Sequence, residues 1–177
     1  AGRLPVAVTI ADGNLPDMIA SARHAEAAGA DWLILQPPRP PASGADLVEF
    51  FATVAAATSL PCAIQNAPEF LGLGLSAREL LDLNARQPNI SVVKGDAAAA
   101  TIAEVVLALS GKMAVMNGGF LQQYDTPAQV FANPVNLFVA SFIGSPAMSL
   151  IPLEATTASG RTVLTSAEGW ALTLSDQ

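Results

Sequence analysis

Between Leu4 and Met116, short apolar runs alternate with longer stretches of helical period, and nothing else in the chain restricts the fold as strongly. Leu4-Pro5-Val6-Ala7-Val8-Thr9-Ile10 predicts a buried strand. After Asp12-Gly13-Asn14 the spacing predicts a helix over Leu15 to Ala28, with Leu15, Ile19, Ala22 and Ala25 on one face and Gly29 as its C-terminal stop. Asp31 to Leu35 predicts a second strand, and the proline-rich stretch Gln36 to Pro41 a loop, because proline lacks a ladder donor. A helix is expected over roughly Ala45 to Ala57, and a third strand over Cys62 to Gln65.

Ser76, with Glu79 three residues on, has the pattern of a capping box opening a helix that runs to about Arg86. Ile90-Ser91-Val92-Val93-Lys94 predicts a fourth strand, Ala98 to Leu109 a helix, and Met113 to Met116 a fifth strand. Five strand–helix alternations argue for a parallel α/β sheet or barrel. Right-handed crossovers would then bring the C-terminal ends of the strands to one face.

After Asn117 the rhythm changes. Thr126-Pro127 opens a short helix, with Thr as N-cap and Pro at the first helical position. Asn133-Pro134 breaks it, a second short helix is expected over Val135 to Phe142, and Gly144-Ser145-Pro146 is a turn. Ser149 to Ile151, Arg161 to Leu164 and Trp170 to Thr173 read as short strands joined by Ser/Thr/Gly-rich turns.

Charge narrows the function classes. The net charge is −7 with only eight Lys and Arg, scattered along the chain, which argues against a nucleic-acid partner. Hydrophobic residues reach 51% but no run of 18 is apolar, so no membrane span is expected. No basic segment followed by an apolar core marks a secretory signal, so the expected location is cytoplasmic. Cys62, the single cysteine, reads as a small buried hydrophobe. One His (His24) and one Cys predict no metal site, and no cofactor is expected. Gly72-Leu73-Gly74-Leu75-Ser76-Ala77 has dinucleotide-loop spacing, but its glycines do not directly follow a strand, and a loop before a capped helix explains them. Trp32 and Trp170 read as packing residues, and Asn89-Ile90-Ser91 matches a glycosylation acceptor.

Lys94 is the candidate catalytic residue. It ends an apolar strand, which in a parallel barrel is the active-site face. A lysine buried there would present a neutral amine able to form a Schiff base with a keto group. The alternative is a solvated strand-end lysine.

Here the residues carry a resemblance. Gly2-Arg3-Leu4-Pro5-Val6, Ala25 to Asp31, Leu60-Pro61, Gln65-Asn66-Ala67-Pro68, Pro88-Asn89-Ile90 and Val92-Val93-Lys94 follow in order. Residues 1–117 thereby resemble the dihydrodipicolinate synthase and N-acetylneuraminate lyase family. The resemblance implies a lyase on a (β/α)8 barrel, here incomplete with about five βα units, corresponding to strands three through seven. It matches Lys94 to the Schiff-base lysine, with pyruvate or another 2-keto acid as substrate and Gln65, Asn66 and Asp96 as substrate-binding neighbours. The family carries Tyr where this chain has Gln65, and an amide does not shuttle a proton as a phenol does. Many members carry a carboxylate-binding Arg in the region of Phe70, and a Glu is frequent where Gly95 stands. The expected lyase activity is therefore impaired or lost. Open barrel edges would invite self-association.

A second resemblance begins before the first ends. Gly118 to Gln123, Thr126 to Phe131, Pro134 to Ala140 and Phe142 to Met148 resemble the end of the nucleotide-binding domain of ABC sugar importers, entering their β-rich regulatory domain. This implies a unit over 118–177 of two short helices and a small β-rich, OB-like tail. A phosphate-cradling Gly-x4-Gly-Lys-Ser/Thr loop is absent, since Gly111-Lys112 is followed by Met113. Met113 to Gly119 fits both families. The alternatives to a lyase fragment are a non-catalytic remnant of an importer ATPase and an inert chimeric fusion.

Overall fold

A computed structural model describes residues 3–11, 13–38, 43–95, 111–143, 148–158 and 161–174. Its first layer is a parallel sheet of four strands in sequential order: β1 (Ala7–Ile10), β2 (Trp32–Leu35), β3 (Cys62–Asn66) and β4 (Ile90–Gly95). Three longer helices connect them: α1 (Leu15–Ala27), α2 (Gly44–Ala55) and α4 (Ala77–Arg86), with a single turn, α3 (Pro68–Leu71), between β3 and α4.

Local chemistry sets the helix ends. The Asn14 side chain accepts the Asp17 N–H at 3.0 Å to open α1, and Gly29 leaves it at φ 86°. Capping boxes open α2 (Ser43 with Asp46) and α4 (Ser76 with Glu79). The second was predicted from sequence. The first was not, and the helix starts at Gly44, one residue before the expected position.

The strand registers define two faces. Val8, Leu33, Cys62 and Ile90 form one row across the sheet, and Ile10, Leu35, Ile64 and Val93 the next. Both rows pack against Met18 and Ala22 of α1, Leu47 and Phe51 of α2, and Leu80 and Leu83 of α4. Each large side chain fully buried here stabilises the fold by roughly 1.5–3 kcal/mol. On α1 the most buried residues are Met18, Ala22 and Ala25, with Leu15 and Ile19 at the margin, so the buried stripe is rotated slightly from the predicted one. Because strand side chains alternate, Thr9, Ile34, Ala63 and Val92 occupy the opposite face, which carries no helix among the described residues.

The expected fifth parallel strand is a correction. β5 (Met113–Asn117) pairs antiparallel with β6 (Phe120–Asp125) in a separate hairpin, so the described parallel sheet has four strands. Gly118 and Gly119 close the hairpin at φ 56° and 83°, a turn that needs two left-handed residues. Met113 and Val115 bury with Val130 of α5 (Pro127–Ala132) and with Val139 and Ile143 of α6 (Leu137–Ile143) in a small second core. Residues on both sides of Asn117 therefore share that core. Thr126 caps α5 as expected. Gln123 ties the unit together: its Nε2 donates to the Asn133 carbonyl at 3.0 Å and its Oε1 accepts the Val135 N–H at 3.1 Å.

The β-rich tail is a three-stranded antiparallel meander, β7 (Leu153–Ala158), β8 (Arg161–Ser166) and β9 (Ala171–Leu174). Its first strand starts past Pro152 rather than at Ser149 to Ile151 as predicted. The helix expected over 98–109 lies outside the described residues. Among the described residues no helix is long and apolar enough to cross a membrane.

Candidate active site

The C-terminal ends of β2 and β3 project polar residues from otherwise apolar strands: Leu35 is followed by Gln36, and Ile64 by Gln65 and Asn66. Gln36, Gln65, Ala67, Phe70 and Leu71 line an open cleft of about 450 Å³. Gln65 is buried, while Phe70 is 76% exposed at the rim. None of these five side chains titrates, so the wall offers amide donors and acceptors but no proton carrier.

Lys94 stands directly across the β3–β4 ladder from Gln65, and Gly95 across from Asn66. Lys94 thus lies on the face opposite the helices, at the C-terminal end of its strand, and it is exposed, so its surroundings are those of the solvated alternative and not the buried site expected. This placement depends on an irregularity. Cys62 pairs with Ile90 but Ala63 pairs with Val92, so β4 carries one extra residue, Ser91.

Asn66 serves the loop behind the cleft. Its Nδ2 donates to the Leu75 carbonyl at 3.0 Å and its Oδ1 accepts the Leu75 N–H at 2.8 Å. Gly74 fits against it closely: a Cβ there would stand 2.7 Å from Pro68 Cβ and 3.0 Å from Asn66 Oδ1. The second glycine of the dinucleotide-like motif is thus required by packing. Asp96, the remaining expected site residue, lies outside the described residues.

Other candidates resolve as structural. Asn89, of the glycosylation-like triplet, is part-buried and its Nδ2 points at the carbonyls of Ala55, Thr58 and Leu60 at 3.0, 3.4 and 3.2 Å. Cys62 is buried beneath α1 and α2, and burial, followed by the charge of Glu26, pushes its thiol up to about 11. Glu26 accepts from the hydroxyls of Thr58 and Ser59 and from the Ser59 N–H, and those hydrogen bonds hold its carboxyl below the usual range. Among the described residues no three His, Cys, Asp or Glu gather as a metal set. Sequence reasoning missed Gln36, Phe70 and Leu71 as cleft residues. Gln36 carries a signal, since it stands at the end of an apolar strand as Gln65 does, although the prolines that follow it read as a loop.

Helices on one face of a parallel sheet, with polar strand ends and an amine on the other, are the arrangement of a TIM-barrel-like α/β fold. The chain belongs to the Dihydrodipicolinate synthetase family, whose model matches residues 1–134. It is similar to the solved structure of YagE, a prophage protein of that family from E. coli K12 in complex with pyruvate, at 26% identity and TM-score 0.58 over 61% of this chain and 37% of that one. Sialic acid aldolase from Ruminococcus gnavus aligns at 25% identity and TM-score 0.56, over 61% of this chain and 36% of the other. The chain therefore spans little more than a third of these solved relatives. A different likeness covers a short stretch. Over 48 residues, 27% of this chain, it is 50% identical to the sn-glycerol-3-phosphate import ATP-binding protein UgpC 3 of Rhizobium etli, taking in 14% of that protein.

Proposed function

We propose that this chain carries the Schiff-base half of a lyase site, with Lys94 as the amine and pyruvate or another small 2-keto acid as substrate, and that its turnover is impaired. One observation carries the reading: Lys94 stands beside Gln65 at the strand ends, on the face that carries no helix among the described residues, in a chain of this family. A family relative solved with pyruvate supports the substrate class. The Lys94 amine, once it has given up a proton to solvent, attacks the keto carbon, the carbonyl oxygen leaves as water, and a C=N bond replaces C=O. Gln65 and Gln36 hydrogen-bond the carboxylate or the departing oxygen, and the family resemblance assigns Asn66 and Asp96 to the same substrate-binding set. Impairment follows from Gln65, because an amide relays no proton to the leaving water. The protein acts in the cytoplasm. It self-associates through β1 and β4, each paired on one side only among the described residues.

The test is incubation with pyruvate and sodium borohydride, followed by intact mass. A pyruvate-derived adduct that disappears in Lys94→Ala is the expected result. No adduct, in a chain that unfolds cooperatively, overturns it.

A second reading is favoured by the 50% identity to an importer ATPase over 48 residues and by the separate core around Val130 and Val139. On it the chain is a fusion, and its second part a non-catalytic importer remnant. Trapping on Lys94 argues against an inert whole.

A further inference from the structure

We infer that Asn84 is a positioning residue for Lys94: its amide pins the Ile90–Ser91 peptide where β4 carries one residue more than β3, and that extra residue turns Lys94 onto the Gln65 face. The inference rests on Lys94 being the reacting amine.

The face that a strand residue presents is fixed by counting from its last anchored position, and a slip of one residue exchanges the faces. Ile90 is anchored opposite Cys62 in the helix-side core. Counted regularly from there, Lys94 would fall opposite Asn66 and point to the helix layer. With Ser91 left over as a bulge, Lys94 falls opposite Gln65 instead.

Hydrophobicity does not decide between the two registers. Position 92 faces the core in one and position 93 in the other, and both are valine. The lysine charge does not decide either, because a strand-end lysine can reach solvent from both faces. The hydrogen bonds at the point where the strand leaves the regular count remain. Both backbone groups of Ile90 have partners outside β3: its N–H donates to the Gln87 carbonyl at 3.0 Å, and its carbonyl accepts Nδ2 of Asn84 at 2.7 Å. The preceding residue is held as firmly, with the Asn89 carbonyl accepting the Cys62 N–H at 2.7 Å and its side chain turned to the carbonyls of Ala55, Thr58 and Leu60. Asn84 projects from α4, which Leu80 and Leu83 fix in the core. The amide thus holds the peptide that opens the bulge from a support independent of the strand.

Paired cysteines measure the register without reference to activity. Adjacent strands lie about 4.8 Å apart, within disulfide range. In the full chain with Cys62→Ala, Gln65→Cys with Lys94→Cys is expected to cross-link on mild oxidation, and Gln65→Cys with Val93→Cys is not. Adding Asn84→Ala is expected to slow the 65–94 cross-link at least tenfold and to produce the 65–93 one. Deleting Ser91 in the Asn84→Ala background is expected to restore 65–94, since a strand one residue shorter needs no bulge to bring Lys94 opposite Gln65. An Asn84→Ala protein that keeps the 65–94 cross-link overturns the proposal, and so does a deletion that fails to restore it. If Asn84→Ala alone does not fold, the deletion variant decides: folded and cross-linked supports the assignment, unfolded or uncross-linked overturns it. Pyruvate trapping on the unmodified chain is read separately. Expected cross-links without an adduct would reject the lyase reading and leave the register assignment standing.

Discussion

Gln65 and Lys94 face each other across the β3–β4 ladder although they sit at unequal depths, Gln65 three residues beyond Cys62 and Lys94 four beyond Ile90. The offset is absorbed at Ser91, and it places an amide, rather than a phenol, beside the amine.

That neighbour is the first point to change. Gln65→Tyr supplies an ionisable hydroxyl where the cleft has none. Trapping by borohydride at fixed pyruvate is expected to quicken by about 10²-fold, the lower end of general acid–base contributions. An unchanged rate, with the fold intact by circular dichroism, would show that proton relay does not limit imine formation.

Asn66 is expected to act on stability first. Asn66→Ala leaves the buried Leu75 N–H and carbonyl without their partner, a loss of about 2–4 kcal/mol in urea unfolding. Gly74→Ala drives a methyl into Pro68 and the Asn66 amide, and is expected to destabilise by about 1–3 kcal/mol. An Asn66→Ala protein of parental stability would free this residue for a direct role at the cleft.

Cys62 should be silent in the native state. With its thiol pushed up to about 11 and its sulfur enclosed by the core, the thiolate is scarce at pH 8. A thiol-reactive disulfide reagent is expected to label it only at the rate of unfolding, accelerating with urea. Fast labelling without denaturant would contradict the packing of β3 beneath α1 and α2.

Acid stability should depend on Glu26. Hydrogen bonds from Ser59 and Thr58 lower its folded carboxyl below the ordinary 4.5. A depressed folded value means that the stabilisation is present above the unfolded value and is lost as pH falls through the folded one. The urea midpoint is therefore expected to drop as pH falls below 4.5, and Glu26→Gln to flatten that drop. Parallel pH curves for the two proteins would show that the contact does not survive in solution.

Local signals were legible in the sequence. Ser76 with Glu79, Gly29 and Thr126-Pro127 mark helix ends by interactions within four residues, so no distant partner is needed to read them. Partner choice was less legible. Met113 to Met116 is apolar whether it joins a parallel sheet or a hairpin, and Gly118-Gly119 between two short runs was the available sign of a hairpin. Its partner, Phe120 to Asp125, lacks a clean apolar alternation, which hid it. Asn66 reads as a site residue through the family resemblance, which groups it with Gln65 and Lys94, while its loop partner Leu75 is nine residues on.

The sequence by itself determined that short apolar strands alternate with capped helices and that a lysine stands near the end of the fourth strand, because period and capping are properties of neighbouring residues. Only the tertiary structure decided which face that lysine occupies and which sheet Met113 to Asn117 joins. A strand's face depends on its register with a neighbour, and the extra residue at Ser91 exists only relative to β3, a partner that no local pattern in β4 records.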